Sequence, residues 1–122
     1  MARVVRLLVA ILSLAILLVS IVRAAGDSPV VKAAKAGDLA TVRKLIASRS
    51  DVNAPSGDGS TALLWAVHSS NIDMVRALVA GGAKVDMANH YGITPLLDAS
   101  RTGDEEIIEI LLKAGADPKL AH

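Results

Sequence analysis

The residues of this chain best suited to catalysis or metal binding are its three histidines, His68, His90 and His122. A zinc site takes its ligands from several clustered histidines, cysteines or acids. The histidines here lie far apart in the sequence, and the chain has no cysteine. We therefore expect histidines in loops or at helix ends, and we predict no metal site and no cofactor.

Serine nucleophiles and paired carboxylates are also poorly supported. Ser69 and Ser100 have no partner histidine in a catalytic order, so nothing would activate their hydroxyls. The acids between 104 and 109 are explained by the start of a helix, whose dipole favours negative charge. The glycine-rich stretch SGDGS (56–60) lacks the Lys-Ser/Thr of a phosphate-binding loop. The sequence therefore predicts no catalytic residues, and we expect the protein not to be an enzyme.

The elements that carry these residues recur along the chain. The stretch HYGITPLLDASRTGD (90–104) is matched by GDGSTALLWAVHSSN (57–71), with Gly92 33 residues after Gly59. The same offset relates three units without insertions, in the columns Val42, Val75 and Ile108; Leu45, Leu78 and Leu111; and Ala33, Ala66 and Ala99. Repeats of this length are typical of stacked supersecondary units. The chain is therefore predicted to be a repeat protein.

The third unit shows its elements most clearly. Thr94 is a good helix cap, and Pro95 suits the first turn, where no backbone N–H is needed. This predicts a short helix through PLLDASRT to Gly103. Asp104 would cap a second helix, EEIIEILLKA, which Gly115 ends. Between units lie stretches rich in Asn, Asp, Gly and Ser, which predict turns and extended hairpin fingers.

Apolar residues in each second helix follow helical spacing. In the third unit they are expected to form one stripe, made of Ile107, Ile108, Leu111 and Leu112. A single unit cannot bury such a stripe, whereas stacked neighbours can. The predicted fold is therefore all-α, a solenoid of stacked helix-turn-helix units with extended hairpin fingers.

These motifs resemble the ankyrin repeat family, whose unit opens with Gly-x-Thr-Pro-Leu-His and closes with Gly-Ala-Asp-Val-Asn. The resemblance covers residues 26–122 and is carried by GITPLL and GADP in unit three, GSTALL and GGAKVD in unit two, and SDVNA in unit one. The predicted repeats span 26–58, 59–91 and 92–122. The sequence departs from the motif at its histidine, which is replaced by Val31, Leu64 and Leu97. The hydrogen bond that this imidazole makes across units in the family is therefore missing.

The resemblance implies a non-catalytic module that binds another protein on its concave side, through finger tips and the exposed ends of the first helices. Carried over by position, the contact residues are Gly57, Asp58, Ser60, His68 and Ser69 in unit two, and His90, Tyr91, Ile93, Arg101 and Thr102 in unit three. The type of residue at these positions changes from unit to unit, whereas the apolar columns described above keep the same type of residue. Trp65 shares its column with Lys32 and Asp98, so we expect it to be partly exposed or to pack along a helix flank.

The first residues have the layout of an export signal. MARVVRLLVAILSLAILLVSIVRAAGD has a basic opening, an uncharged apolar run over 7–22, and small residues after it. We predict a signal peptide over 1–24, cleaved after Ala24, and a periplasmic or extracellular location. The alternative is an uncleaved anchor formed by 7–22, which would hold the repeats at a membrane, facing outside the cytoplasm. Membrane contact is expected only in that case.

The charge balance bears on the class of partner. Removal of residues 1–24 takes away three arginines and leaves ten basic against twelve acidic residues, a formal charge of −2. A nucleic-acid-binding domain would need a basic face, so we expect no nucleic acid partner. The favoured function is an exported protein-binding module. The alternatives are a membrane-tethered structural or regulatory array, and a regulatory partner of an exported enzyme. Because unit three stops within a finger, we also expect a longer array.

Overall fold

The helices of this protein are short and follow one another in pairs. The computed structural model describes residues 2–9 and 26–121, of which 2–9 are helical (α1). Three pairs follow: α2 (Pro29–Lys35) with α3 (Leu39–Ala47), α4 (Ala62–His68) with α5 (Ile72–Ala80), and α6 (Pro95–Thr102) with α7 (Glu105–Lys113). A 3-10 turn over Pro118–Ala121 ends the described chain. No strand occurs in these two described ranges, and the predicted all-α class is confirmed.

Most of the predicted export signal lies outside the residues that the structure describes. Residues 10–25 lie outside the described ranges, and they include most of the apolar run and the predicted cleavage position after Ala24. Across residues 2–9 and 26–121, no helix is both long enough and apolar enough to cross a bilayer.

A capping side chain at the same place in every unit starts each helix. In the first helices the caps are Ser28, Thr61 and Thr94. The hydroxyl oxygen of each accepts a hydrogen bond from the backbone N–H three residues later, at 3.3, 3.2 and 3.2 Å. In the second helices the caps are Asp38, Asn71 and Asp104, at 3.1, 3.2 and 3.2 Å. Each cap contributes about 1 kcal/mol, which matters because such short helices are unstable in isolation. The predicted caps of the third unit are confirmed.

The first helices stack in one layer and the second helices in another. α4 packs against both α2 and α6, and α5 packs against both α3 and α7, so unit two lies in the middle of the stack. Its Leu63 and Leu78 are fully buried. Buried side chains form one core that runs through all three units. This arrangement confirms the predicted solenoid.

The apolar stripe predicted on α7 is divided by the packing. Ile107 and Leu111, one turn apart, are fully buried, in the columns of two fully buried residues of unit two. Ile108 is only half-buried, and Leu112 has 43% of its surface exposed. Successive residues of a helix are rotated by about 100°, so the second pair lies beside the buried pair, where Ile108 still packs against the edge of the core.

A polar contact between units recurs along the stack, although the histidine of the family motif is missing. Asn53 Oδ1 accepts the Lys84 N–H at 2.7 Å, and Asp86 Oδ1 accepts the Asp117 N–H at 3.0 Å. The two contacts are related by the repeat of the sequence. Each holds the loop that leaves one second helix to the corresponding loop of the next unit. An Asn or Asp at this column therefore supplies the polar tether between units.

Candidate functional site

Two loops and two helices line an open cavity of about 220 Å³ on one side of the stack. The first finger is the loop between α3 and α4, and the second finger is the loop between α5 and α6. The cavity lies where these fingers meet α4 and α6, and we call it the concave cavity. Its lining residues are Asp58, Ser60, Leu64, Trp65, His68, Asn89, Ile93, Asp98 and Arg101.

Asp58 organises the tip of the first finger. Its Oδ1 accepts hydrogen bonds from Ser56 Oγ and from the Ser60 N–H, and its Oδ2 accepts one from Ser60 Oγ. The Ser56 N–H also donates to the Ser60 carbonyl at 2.9 Å, which closes a tight hairpin. The hydrogen bond from Ser56, followed by that from the Ser60 N–H, holds the pKa of Asp58 below its ordinary value. Asp58 is therefore ionised at neutral pH.

Asn89 organises the second finger in a similar way. Its Oδ1 accepts the N–H groups of Tyr91 and Ile93, both at 3.0 Å. Its own N–H donates to the Ile93 carbonyl at 3.1 Å. Asn89 lies one repeat after Ser56, so the two fingers close at the same position. The predicted hairpin shape of the fingers is confirmed.

The two finger tips are bonded to each other. The His90 N–H donates to the Asp58 carbonyl at 2.9 Å, and Asn89 Nδ2 donates to Ser60 Oγ at 3.2 Å. Gly59 permits this approach, because its φ is +82° and a Cβ there would lie 2.8 Å from the His90 ring. The fingers therefore form one hydrogen-bonded wall.

The helical wall of the concave cavity is built on Trp65, whose indole is half-buried against the core. Lys35 Nζ lies 4.5 Å from the ring centroid, and His68 packs edge-on at 6.3 Å between ring centroids. His68 Nδ1 lies 3.2 Å from Asp98 Oδ2 on the next first helix. Trp65 Nε1 is buried without a hydrogen-bond partner among the described residues. The partial exposure predicted for Trp65 is confirmed.

Half of the predicted contact residues line the concave cavity, namely Asp58, Ser60, His68, Ile93 and Arg101. Ser60 departs from the exposed position expected of a contact residue, since only 4% of its surface is exposed. It is buried because its hydroxyl bridges Asp58 and Asn89. Ser60 therefore braces the fingers and offers almost no surface of its own.

The other five predicted contact residues are exposed but lie outside the cavity lining, and they are Gly57, Ser69, His90, Tyr91 and Thr102. Tyr91, on the second finger, has 77% of its surface exposed. The hydroxyls of Ser69 and Thr102 donate to carbonyls of their own helices, so they are already engaged. Of this group, Tyr91 presents the largest apolar surface beside the cavity.

Sequence reasoning missed four residues of the lining, which are Leu64, Trp65, Asn89 and Asp98. Two of them had a signal. Trp65 lies one helical turn before His68, and Asp98 one turn before Arg101, so each shares a helix face with a predicted contact residue. Leu64 also lies one turn before His68, but its apolar type predicts packing, and the place of Asn89 depends on how the fingers meet.

The chemistry of the lining suits recognition. Ser60 carries its only hydroxyl, and that hydroxyl is already bonded to Asp58 and Asn89. Within residues 2–9 and 26–121, no three His, Cys, Asp or Glu side chains are grouped so as to hold a metal ion. What the lining offers is an aromatic face, two carboxylates, an imidazole and a guanidinium.

A wider, open depression of about 940 Å³ lies at the turns between the first and second helices. Its walls include the turn residues Gly37 and Ser70 and the exposed ion pair of Arg76 with Glu106. No aromatic side chain lines it. The concave cavity is therefore the better candidate site, because a partner there meets both an aromatic surface and fixed charges.

Comparison with known proteins places this architecture in a family. A family model of ankyrin repeats, in three copies, matches residues 30–122. The ankyrin repeat domain of human ASB11 is a similar solved structure, with 31% sequence identity and a TM-score of 0.67. The match covers 74% of this chain and 41% of that one, so the chain spans less than half of the solved domain. No curated protein sequence matches this chain. Ankyrin repeats generally bind other proteins, and the chain belongs to the ankyrin repeat family.

Proposed function

We propose that this protein is a non-catalytic module that is exported and binds a partner protein through its concave surface, formed by the fingers and the first helices. The observation that carries the proposal is the concave cavity, where side chains from neighbouring units converge beside an exposed aromatic residue. Family membership supports the same function, because solenoids of this kind bind partners on extended concave surfaces.

The rigidity of the fingers supports a binding role. The hydrogen bonds from His90 and Asn89 hold the second finger against Asp58 and Ser60 of the first. A surface that is ordered before binding loses less conformational entropy when the partner docks. The wall of the concave cavity is preorganised in this sense.

Tyr91 and Trp65 supply the apolar part of the surface. They are the only two aromatic residues of the chain, and both belong to this side of the stack. Tyr91 stands on the second finger with 77% of its surface exposed, and Trp65 lines the cavity. Tyrosine and tryptophan are enriched among residues that dominate binding energy. Substitution of these two residues is therefore expected to reduce the affinity for a partner more than substitution elsewhere on the surface.

Cross-linking tests the binding surface. A photo-reactive phenylalanine derivative replaces Tyr91 or Arg101 on the concave side, and Arg43, exposed on α3, serves as the matched control. Irradiation of the host cells is expected to give a discrete protein adduct from the first two positions and none from the control. Adducts from the control alone would contradict the proposed surface.

Export is the second part of the proposal, and the sequence of the first 24 residues supports it. N-terminal sequencing of the product recovered outside the cytoplasm is expected to begin at Ala25 or within two residues of it. A product that begins at Met1 in the membrane fraction would instead favour a tethered array anchored by 7–22. A full-length product in the cytoplasm would contradict both.

A further inference from the structure

The concave cavity is small compared with sites for small-molecule ligands. Its volume is about 220 Å³, whereas sites for small-molecule ligands usually measure about 300–1,000 Å³. A water molecule occupies about 30 Å³ in the liquid, so the cavity has room for one long side chain and a few waters. It is suited to a single side chain that projects from a docked protein.

The charges around the cavity favour a cation. The lining carries two carboxylates, Asp58 and Asp98, against one guanidinium, that of Arg101. The hydrogen bonds to Asp58 keep its pKa low, so this carboxylate is ionised at neutral pH. Carboxylates therefore outnumber guanidinium groups in the lining by two to one.

Both carboxylates keep acceptor capacity. Asp58 Oδ2 accepts one hydrogen bond, from Ser60, and an ionised carboxylate oxygen can accept two. Asp98 Oδ2 faces His68, while its Oδ1 has no hydrogen-bond partner among the described residues. A charged donor from outside can thus bond to either residue without breaking the contacts already made.

The rest of the lining fits the stem of such a side chain. Trp65 and Ile93 are half-buried and supply apolar surface next to the carboxylates. Lysine and arginine bury their methylene stems along apolar surface while their charged ends stay hydrated or paired. A cation is also attracted to an indole face. Lys35, which is outside the lining, already places its Nζ 4.5 Å from the centroid of this ring.

We infer that the concave cavity receives a lysine or arginine side chain of the protein partner, its stem along Trp65 and its charged end between Asp58 and Asp98. The inference rests on the proposed function and adds the chemistry of the partner to it. Arg101 opposes this cation and, being exposed, reduces the affinity for it. Replacing a carboxylate and replacing Arg101 must therefore change binding in opposite directions.

Trp65 provides the measurement, because it is the only tryptophan of the chain. The whole protein is titrated with the blocked tripeptides acetyl-Gly-Arg-Gly-amide and acetyl-Gly-Lys-Gly-amide, and indole fluorescence and the single indole N–H resonance are followed. The matched controls carry citrulline, which is neutral, or glutamate at the central position. Saturable shifts are expected from the two basic peptides and not from the controls.

Three variants test the roles of the charges. Asp58→Asn and Asp98→Asn are each expected to weaken binding of the arginine peptide at least threefold, and Arg101→Gln is expected to strengthen it at least twofold. Asp73→Asn, on the exposed surface of α5, is the matched control and should change nothing. Far-ultraviolet circular dichroism checks the fold of each variant. If an aspartate variant unfolds, the increase with Arg101→Gln decides the question.

Several outcomes would overturn the inference. Saturable binding of the glutamate peptide, with weakening by Arg101→Gln, would show that the cavity takes an acidic side chain. No response to any peptide, while Tyr91 and Arg101 still cross-link to a partner, would contradict the inference and leave the proposed function standing. No response and no adduct would contradict both.

Discussion

Two residues, Ser70 and Arg49, have a positive φ at positions where the other units have glycine. Ser70 has a φ of +52°, where the same column holds Gly37 and Gly103 at +68° and +71°. Arg49 has a φ of +57°, in a column otherwise filled by glycines with positive φ. A residue with a Cβ is strained in this region by about 1–2 kcal/mol, partly offset by the flexibility of glycine in the unfolded chain. The turns at Ser70 and Arg49 therefore carry backbone strain that a glycine at these positions would relieve.

Replacing Ser70 with glycine is expected to raise the free energy of unfolding by about 1 kcal/mol, because the strain at this turn is removed. Urea denaturation followed by circular dichroism measures the change. The reverse variant, Gly103→Ser, should lower stability by a similar amount, since a Cβ at Gly103 meets no atom within 4 Å and introduces only backbone strain. A loss of stability in both variants would show that φ is not the cause.

At the scale of the elements, the shape of each finger is held by hydrogen bonds to one side chain at its tip, whereas the ends of the helices are held by caps. The first finger has a single carboxylate at its tip, and Ser56 and Ser60 both donate to it. The second finger uses a neutral carboxamide, that of Asn89, for the corresponding task. Of the two finger tips, that of the first finger is therefore the one whose stability is expected to vary with pH.

The lowered pKa of Asp58 predicts the direction of that dependence. Its pKa in the unfolded chain is about 3.9, and the folded value is lower, so its contribution is complete above about pH 5 and is lost as the pH falls through the folded pKa. Asp58→Asn is expected to flatten the decline of stability with acid. Thermal unfolding between pH 2 and 7 measures it. Some slope should remain, because the pKa values of Asp38 and Glu109 are also lowered, and an unchanged slope would contradict the role of Asp58.

At the scale of the whole molecule, the core and the proposed binding surface are made of different residues. The stability of a solenoid is close to a sum of unit terms and contacts between neighbours. Unit two has a neighbour on each side, and its side chains fill the centre of the common core. The residues of the finger tips take little part in that core. Substitutions at the two kinds of position should therefore have separable effects.

Leu78→Ala, at a fully buried position of α5, is expected to lower the free energy of unfolding by about 2–5 kcal/mol, through lost burial and a cavity. Tyr91→Ala, at a position that is 77% exposed, should change it by less than about 0.5 kcal/mol and weaken partner binding instead. Denaturant titration and the cross-linking yield measure the two effects. Unfolding by Tyr91→Ala would contradict this division.

The amino-acid sequence alone determined the local structure of this protein. Caps such as Thr94 and Asp104 act on N–H groups three residues away, and the 33-residue repeat brings the same short-range pattern back in each unit. Helices, turns and the solenoid class could therefore be predicted. The unequal burial of Ile107 and Ile108 could not, because apolar spacing alone does not say which part of a stripe faces the neighbouring helix.

The concave cavity was decided by the tertiary structure. Asp58 and Asp98 lie 40 residues apart and line one cavity only because neighbouring units stack and both fingers meet at the same place. The burial of Ser60 arises from the same contact, since Asn89 reaches its hydroxyl from the next finger. A repeat aligned by columns shows which residues are equivalent. Which residues touch depends on the separation and tilt of neighbouring units, and packing of side chains throughout the core determines these.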